Sequence, residues 1–361
     1  MKKLVILLLA ACISFSSCKE DFDVAAPYKN ITLVYAMLNR ADTAHYIRIQ
    51  KGFMDSNRGV IEMSQIPDSS FYKDLTVTMK EFTNDVLSNT WPLKKVEMTS
   101  EGYPKDAPSA LGFFTMPSYA YKLKFTNPLD SLSPYKKYRL VIHNNESGDV
   151  DSTDYVYVVA SNNNGSNPSE FQVSDFNNLS YNMSFSKTEL KAKFQLFVRA
   201  PKNAKIVEGV MRFYMVEKNL ATGEKKRLPV AEYYYDQQTR VNPELFTLTT
   251  LNSSIYAFLR DAFGEAPANT ARYIDSCDLV VLAGNYELYN YMQIASVQNS
   301  SLLGDQIKPF YTNIRGNNAY GLVCARAIQT RKNIPIDQIT LDSLKLNPLT
   351  IPLNIQGRSD D

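Results

Sequence analysis

Histidine is nearly absent from this chain: His45 and His143 are the two in 361 residues. Histidine is the usual general base and the commonest metal ligand. Neither residue belongs to a His-x-x-x-His pair or a Cys/His cluster, which argues against a zinc site. No Gly-x-Ser-x-Gly elbow supports a Ser-His-Asp triad. Phosphate-cradling glycine loops and Asp-x-Asp-x-Asp-Gly calcium loops are missing too. The residues therefore name no catalytic group, no metal and no cofactor. Paired carboxylates remain open as hydrolytic machinery, but the chain has 37 acids and the sequence singles out no pair.

Net charge is also scarce. The formal +2 comes from Lys2 and Lys3. Removing residues 1–17 leaves 344 of 361 residues, with 37 basic against 37 acidic side chains. Nucleic acid demands a clustered basic footprint, which a balanced body lacks. It lacks a polybasic membrane-binding face as well. Tryptophan is limited to Trp91, which weakens a sugar-stacking surface. Beyond the first 20 residues only Cys277 and Cys324 remain, each in an apolar strand-like stretch. They are either a disulfide between neighbouring strands or two buried thiols.

What is present begins at the N-terminus. Lys2 and Lys3 precede an apolar run, Leu4 to Phe15, too short to span a bilayer and the right size for a signal-peptide core. Ser16 and Ser17 then lead to Cys18, the pattern of a lipoprotein signal in which the cysteine is acylated. Cys12, in "LAAC", fits the usual letters better but would leave a core of only Leu4 to Leu9, so Cys18 is the favoured site. "KEDFD" (19–23) resembles the Lys-acid-acid export signal of surface lipoproteins in the Bacteroidota. The expected address is the outer membrane, lipid-anchored and facing outward, with acyl chains supplying the membrane affinity.

Strand-like alternation dominates the body. "LTVTMK", "SYAYKLKF" and "KYRLVIHN" put Leu75, Val77 and Met79, then Tyr119, Tyr121, Leu123 and Phe125, then Tyr138, Leu140 and Ile142 on single faces. "ITLVYAML" and "STDYVYVVA" are more continuously apolar and predict central strands buried on both faces. The expected fold is mainly β: an immunoglobulin-like sandwich over 31–160, a polar linker over 161–170, and a β-rich domain with two or three short helices over 171–361. Residues 18–30 form the tether. One helix is expected in "LNSSIYAFLRDAFGE", stopped by Gly264, and another in "NYELYNYMQIASVQN" with Asn285 as its cap. "DQITLDSLKL" is a third candidate.

Two surface features could carry contacts or modification. Tyr234, within "YYY", and Tyr286 and Tyr289, within "YELYNY", are candidate contact aromatics together with Trp91; packing at a core edge or between domains is the favoured explanation of the tyrosines. Asp-Ser/Thr pairs place Thr43, Ser131, Ser152 and Ser343 in the O-glycosylation pattern of Bacteroidota envelope proteins, although turn chemistry also favours Asp-Ser.

"IKPFYTNIRGNNAYGLVCARA" (307–327) resembles the closing segment of an uncharacterised Bacteroidota lipoprotein family often encoded beside TonB-dependent receptors. The matching positions are Pro309, Tyr311, Asn313, Ile314, Gly316, Tyr320 and Gly321. Asn317, Asn318 and Ala319 stand where that family has more glycine, and Asn tolerates a positive φ. The resemblance implies a non-enzymatic accessory binding or docking subunit of an outer-membrane nutrient receptor, and it brings no active site. The alternatives are a stand-alone glycan- or protein-binding adhesin and a carboxylate-based hydrolase.

Overall fold

The computed structural model describes residues 31–52, 62, 65–104, 117–125, 131–161, 170–176, 180–187, 192–236, 238–239, 245–298 and 311–358. The signal segment 1–17, the tether 18–30 and both Cys12 and Cys18 lie outside these residues, as does Pro309.

The described chain is mainly β. In its first half the strands are β1 (Ile31–Leu38), β2 (Ala44–Gly52), β3 (Leu75–Thr83), β4 (Val86–Pro92), β5 (Lys94–Glu97), β6 (Tyr119–Lys124), β7 (Lys137–Asn144) and β8 (Val150–Thr153). In the second half they are β9 (Lys193–Arg199), β10 (Ile206–Asn219), β11 (Lys225–Arg227), β12 (Ala231–Tyr234), β13 (Gln238–Thr239), β14 (Leu245–Leu251), β15 (Thr270–Gly284), β16 (Ile314–Arg315), β17 (Ala319–Pro335) and β18 (Ile355–Gly357). Three helices accompany them: α1 (Asn252–Phe263), α2 (Tyr286–Gln298) and α3 (Gln338–Leu346). Among the described residues no helix is long and apolar enough to cross a membrane.

Period-two patterning sets the buried faces. Val77 and Met79 of β3, Tyr138, Leu140 and Ile142 of β7, and Phe194, Leu196 and Val198 of β9 all point into one continuous core. Gly264 ends α1 at φ 61°, its N–H bonded to the Arg260 carbonyl at 2.9 Å. Asp337 caps α3 by accepting from the Thr340 N–H at 2.8 Å.

The strands form three sheets. A two-stranded sheet pairs β9 with β14, and a five-stranded sheet runs β16-β8-β7-β3-β4. The largest has eleven strands, with the path β11-β10-β15-β17-β1-β2-β6-β5. Its hinge is a parallel pairing of β1 with β17, Thr32 opposite Ala319 through Leu38 opposite Ala325. Gly321 makes that approach feasible. Its φ is +135°, and a Cβ there would fall 1.8 Å from the Val34 carbonyl oxygen. The preceding turn puts Asn318 at φ 57°. Asn313 then bonds both backbone groups of Val323, at 2.8 and 2.9 Å. Because β1 joins β17 and β16 joins β8, the sheets run across the 161–170 boundary expected from composition.

Two central-strand expectations need correction. β1 is central, but it is buried on one face only: Tyr35 is 49% and Met37 43% exposed. "STDYVYVVA" is not one strand. β8 stops at Thr153, and beyond it Val156 makes a single bridge to Tyr138 while Val158 to Ala160 are buried without a ladder.

Candidate functional site

The outer face of the large sheet carries the site. Pairing aligns Ile206 of β10, Gly284 of β15 and Arg326 of β17 in one row across three strands. Glu208, Leu282 and Ile328 form the next row. Met37 projects from β1 beside Cys324. Helix α2 lies over this face. Asn285 fixes its start, as the sequence predicts: its Oδ1 accepts from the Leu288 N–H at 3.2 Å, its own N–H donates to Ala325 O at 3.0 Å, and its Nδ2 to Tyr157 O at 3.1 Å. Gly284 lets the helix sit close, since a Cβ there would meet Leu288 Cδ2 at 2.8 Å and Ile206 Cγ2 at 2.9 Å.

Between α2 and the sheet is a pocket of about 160 Å³. Its floor is Ile206, Leu282 and Gly284; Leu288 and Met292 of the helix and Met37 of β1 make the walls. Two charged residues complete the lining, Glu208 and Arg326. No ion pair joins them, and neither forms one with any other described residue. The backbone rows place their Cα atoms about 12 Å apart, from strand spacing and rise.

The other side of α2 holds Glu287, which is 9% exposed. Burial, with a smaller push from Asp154, raises its carboxyl to about 7 despite a hydrogen bond from its own backbone. Asp154 itself is held by Arg315 in a bidentate pair, at 3.0 and 2.7 Å. Tyr311 sits in the same field, its phenol raised by burial and by Glu287. Beneath the helix, Cys324 donates to Ala36 O at 3.7 Å, and burial pushes its thiol up to about 12.

The predicted residues are scattered rather than gathered. Tyr286 is 58% exposed at the start of α2, and Tyr289 on the same helix takes Lys205 over its ring at 5.4 Å. Tyr234 is exposed on β12, with its hydroxyl on Glu232 at 2.7 Å, while Tyr235 is buried. Trp91, on β4 of the five-stranded sheet, packs edge-on against Phe125 at 5.3 Å, on a different sheet from the one α2 covers. Thr43 and Ser131 are exposed. Ser152 lies within β8, flanked by β7 and β16, and Ser343 donates its hydroxyl to Ile339 O inside α3. The disulfide alternative fails on register. β15 and β17 are neighbours, but Cys277 faces Ile334, ten residues from Cys324, so the sulfurs stand about 30 Å apart where a bridge needs Cα atoms within about 7 Å. Both are buried free thiols. His143 is exposed, its Nδ1 within 2.8 Å of Asn145 Oδ1, and His45 is buried.

Residue-by-residue reading missed Glu208, Glu287 and Arg326. The signal for Arg326 was a charge in phase with Leu322 and Cys324 within the apolar stretch that opens β17; the signal for Glu287 was a lone acid among tyrosines at a helix start. Among the described residues no group of three or more His, Cys, Asp and Glu side chains is arranged to hold a metal ion. No protein-family model matches the chain, and no curated protein matches it.

Proposed function

We propose that this protein is a lipid-anchored outer-membrane binding or docking protein, acylated at Cys18 and acting as the accessory partner of a TonB-dependent nutrient receptor. The observation that carries the binding role is the pocket beneath α2: a preformed apolar hollow with two opposite charges at hand. Sites of that make-up hold small ligands by apolar contact and orient them with a few polar groups. The exposed Tyr35, Met37, Tyr286 and Tyr291 lie on the same sheet-and-helix side or on α2 and supply contact area around it. The address and the partner rest on the N-terminal residues and on the family resemblance of 307–327.

The first half is proposed to be an immunoglobulin-like sandwich. Two features support this reading. The orders β1-β2-β6-β5 and β8-β7-β3-β4 correspond to strands A-B-E-D and G-F-C-C′ of that fold. Tyr138, second residue of β7, accepts a hydrogen bond from the Ser133 backbone N–H at 2.6 Å, the arrangement of a tyrosine corner.

Purification of the full chain from its native membrane in mild detergent tests the role. A β-barrel receptor is expected to co-purify, and Cys18→Ser should release the protein from membranes. Purification alone, from every membrane preparation, would favour the stand-alone adhesin. The hydrolase reading has one observation in its favour: burial raises the Glu287 carboxyl to about 7, in the field of an Asp154 paired with arginine, an environment that suits an acid and a base. Turnover of aryl glycosides that disappears in Glu287→Gln would establish it.

A further inference from the structure

We propose that the pocket beneath α2 binds a free hydrophobic α-amino acid, with its side chain in the hollow, its carboxylate on Arg326 and its ammonium on Glu208. The inference rests on the binding role given above and names the ligand class.

Three observations combine. The first is size. A cavity of about 150 Å³ accepts a benzene ring, so one of about 160 Å³ takes a single aromatic or branched aliphatic side chain and nothing much larger. The second is lining. Ile206, Leu282, Leu288 and Met292 offer no hydrogen-bonding side-chain group, so whatever enters the hollow is apolar. Methionine adapts to aromatic and aliphatic shapes alike.

The third observation is the pair of charges. Glu208 and Arg326 both line the pocket, yet they do not pair with each other. Their backbones stand about 12 Å apart by strand spacing and rise. Side chains stand roughly perpendicular to a sheet, so the two charged ends rise separately at the pocket rather than meeting. A group held between them would carry both a negative and a positive charge. An α-amino acid carries the two on a single carbon, directly next to its side chain. Arginine presents a fork that matches a carboxylate. Glutamate accepts from an ammonium. An anionic amphiphile would leave Glu208 repelled, and a cationic one would leave Arg326 repelled, so the zwitterion is the head group that satisfies both. Asp42, after β1, also lies in the field of Arg326 and is bonded by Asn39 at 3.0 Å. It adds negative charge to the field around the guanidinium and disfavours a doubly anionic ligand.

The test is titration calorimetry on the whole chain with L-phenylalanine and L-leucine. Saturable binding is expected for both. N-acetyl-phenylalanine lacks the ammonium and phenylalanine amide lacks the carboxylate; each should bind roughly tenfold or more weakly. Arg326→Gln and Glu208→Gln should each reduce phenylalanine affinity by a similar factor, with unchanged circular dichroism. Leu282→Trp should fill the hollow and abolish binding. The ligand arms need no variant to fold, so they decide the matter alone if a substitution disrupts the sheet. Equal binding of the acetylated and amidated forms would overturn the assignment, as would no saturable binding of either amino acid up to its solubility. Toluene binding that is lost in Leu282→Trp, without amino-acid binding, would overturn the ligand class while leaving the pocket a binding site.

Discussion

Two buried glutamates face opposite fates in this fold. Glu81, on β3, is 2% exposed, and Glu287, on α2, is 9% exposed. Burial raises the pKa of both. At Glu81 the protein answers with donors: Ser88 at 2.9 Å, Asn89 and Lys136 at 2.7 Å on Oε1, and the Tyr138 hydroxyl at 3.2 Å on Oε2. Those bonds outweigh desolvation and hold the carboxyl below its usual range. Among the described residues Glu287 receives only its own backbone N–H, and it rises to about 7. The first site is built to keep a charge inside a sheet. The second leaves a carboxyl free to change its proton near neutrality, at the one helix that covers the candidate site. Both side chains are nearly shut off from solvent, but Glu287 is packed more deeply among protein atoms, so stronger desolvation and missing donors act together there.

The largest effect should come from breaking the first site. Glu81→Ala strips four donors of their acceptor and leaves Lys136 over a buried hole. A loss of about 2 to 3 kcal/mol is expected by urea denaturation, since the buried Tyr138 hydroxyl loses a charged acceptor and a cavity opens in the sheet, while Lys136, a third exposed, can return to water. Tyr138→Phe is the milder cut, because it orphans the Ser133 N–H; about 1 to 2 kcal/mol is expected. If Glu81→Ala proved neutral, the two carboxylates would not differ in the way claimed.

Next comes pH. Glu287 has a folded pKa of about 7 against an ordinary 4.5. A raised carboxyl favours the protonated folded state, so its contribution is complete below pH 4.5 and is lost as pH rises through 7. Glu287→Gln should therefore match the parent at pH 4 and exceed it at pH 8, by about 3 kcal/mol at most. His45 works in the other direction. It is 2% exposed, neither ring nitrogen has a hydrogen-bond partner among the described residues, and burial lowers it from 6.5 to about 4. The unfolded chain then binds more protons, so stability is complete above pH 6.5 and falls as pH drops toward 4, again by about 3 kcal/mol. His45→Phe should gain stability relative to the parent as pH falls below 6.5 and keep a constant difference from it above that. Together the two groups nearly cancel between pH 4.5 and 6.5, which predicts a broad plateau of maximal stability centred near about pH 5.5. A profile that rose steadily from pH 4 to 8 would remove Glu287 from the account.

The same contrast explains what could be read in the sequence. Strands such as β3, β7 and β9 were legible because each carries its buried face in its own alternation, and α1 because its apolar spacing and Gly264 stop are local. The run around Tyr138 was legible as a strand, but the bonds from Lys136 and Asn89 to Glu81 were not; they depend on which strands pair. The parallel contact of β1 with β17 joins residues nearly three hundred positions apart, and no local period encodes it. That pairing is what sets Met37 beside Cys324 and so completes one wall of the pocket. Arg326 and Glu208 gain meaning only once β10, β15 and β17 are in register. A strand's faces are written locally, whereas a site built across four strands is not.

The smallest effect gives the finest test. Two causes raise Glu287: burial first, then the Asp154 charge. Asp154 is 46% exposed on its side chain and already paired with Arg315, so solvent and guanidinium screen most of its field. Asp154→Asn should leave stability within about 1 kcal/mol of the parent and lower the Glu287 titration midpoint only slightly, as followed by carbon-detected NMR of its carboxyl. A large drop would mean that the neighbouring charge, rather than the loss of water, holds the proton on Glu287. The second site would then differ from the first by an added repulsion, and not by its missing donors.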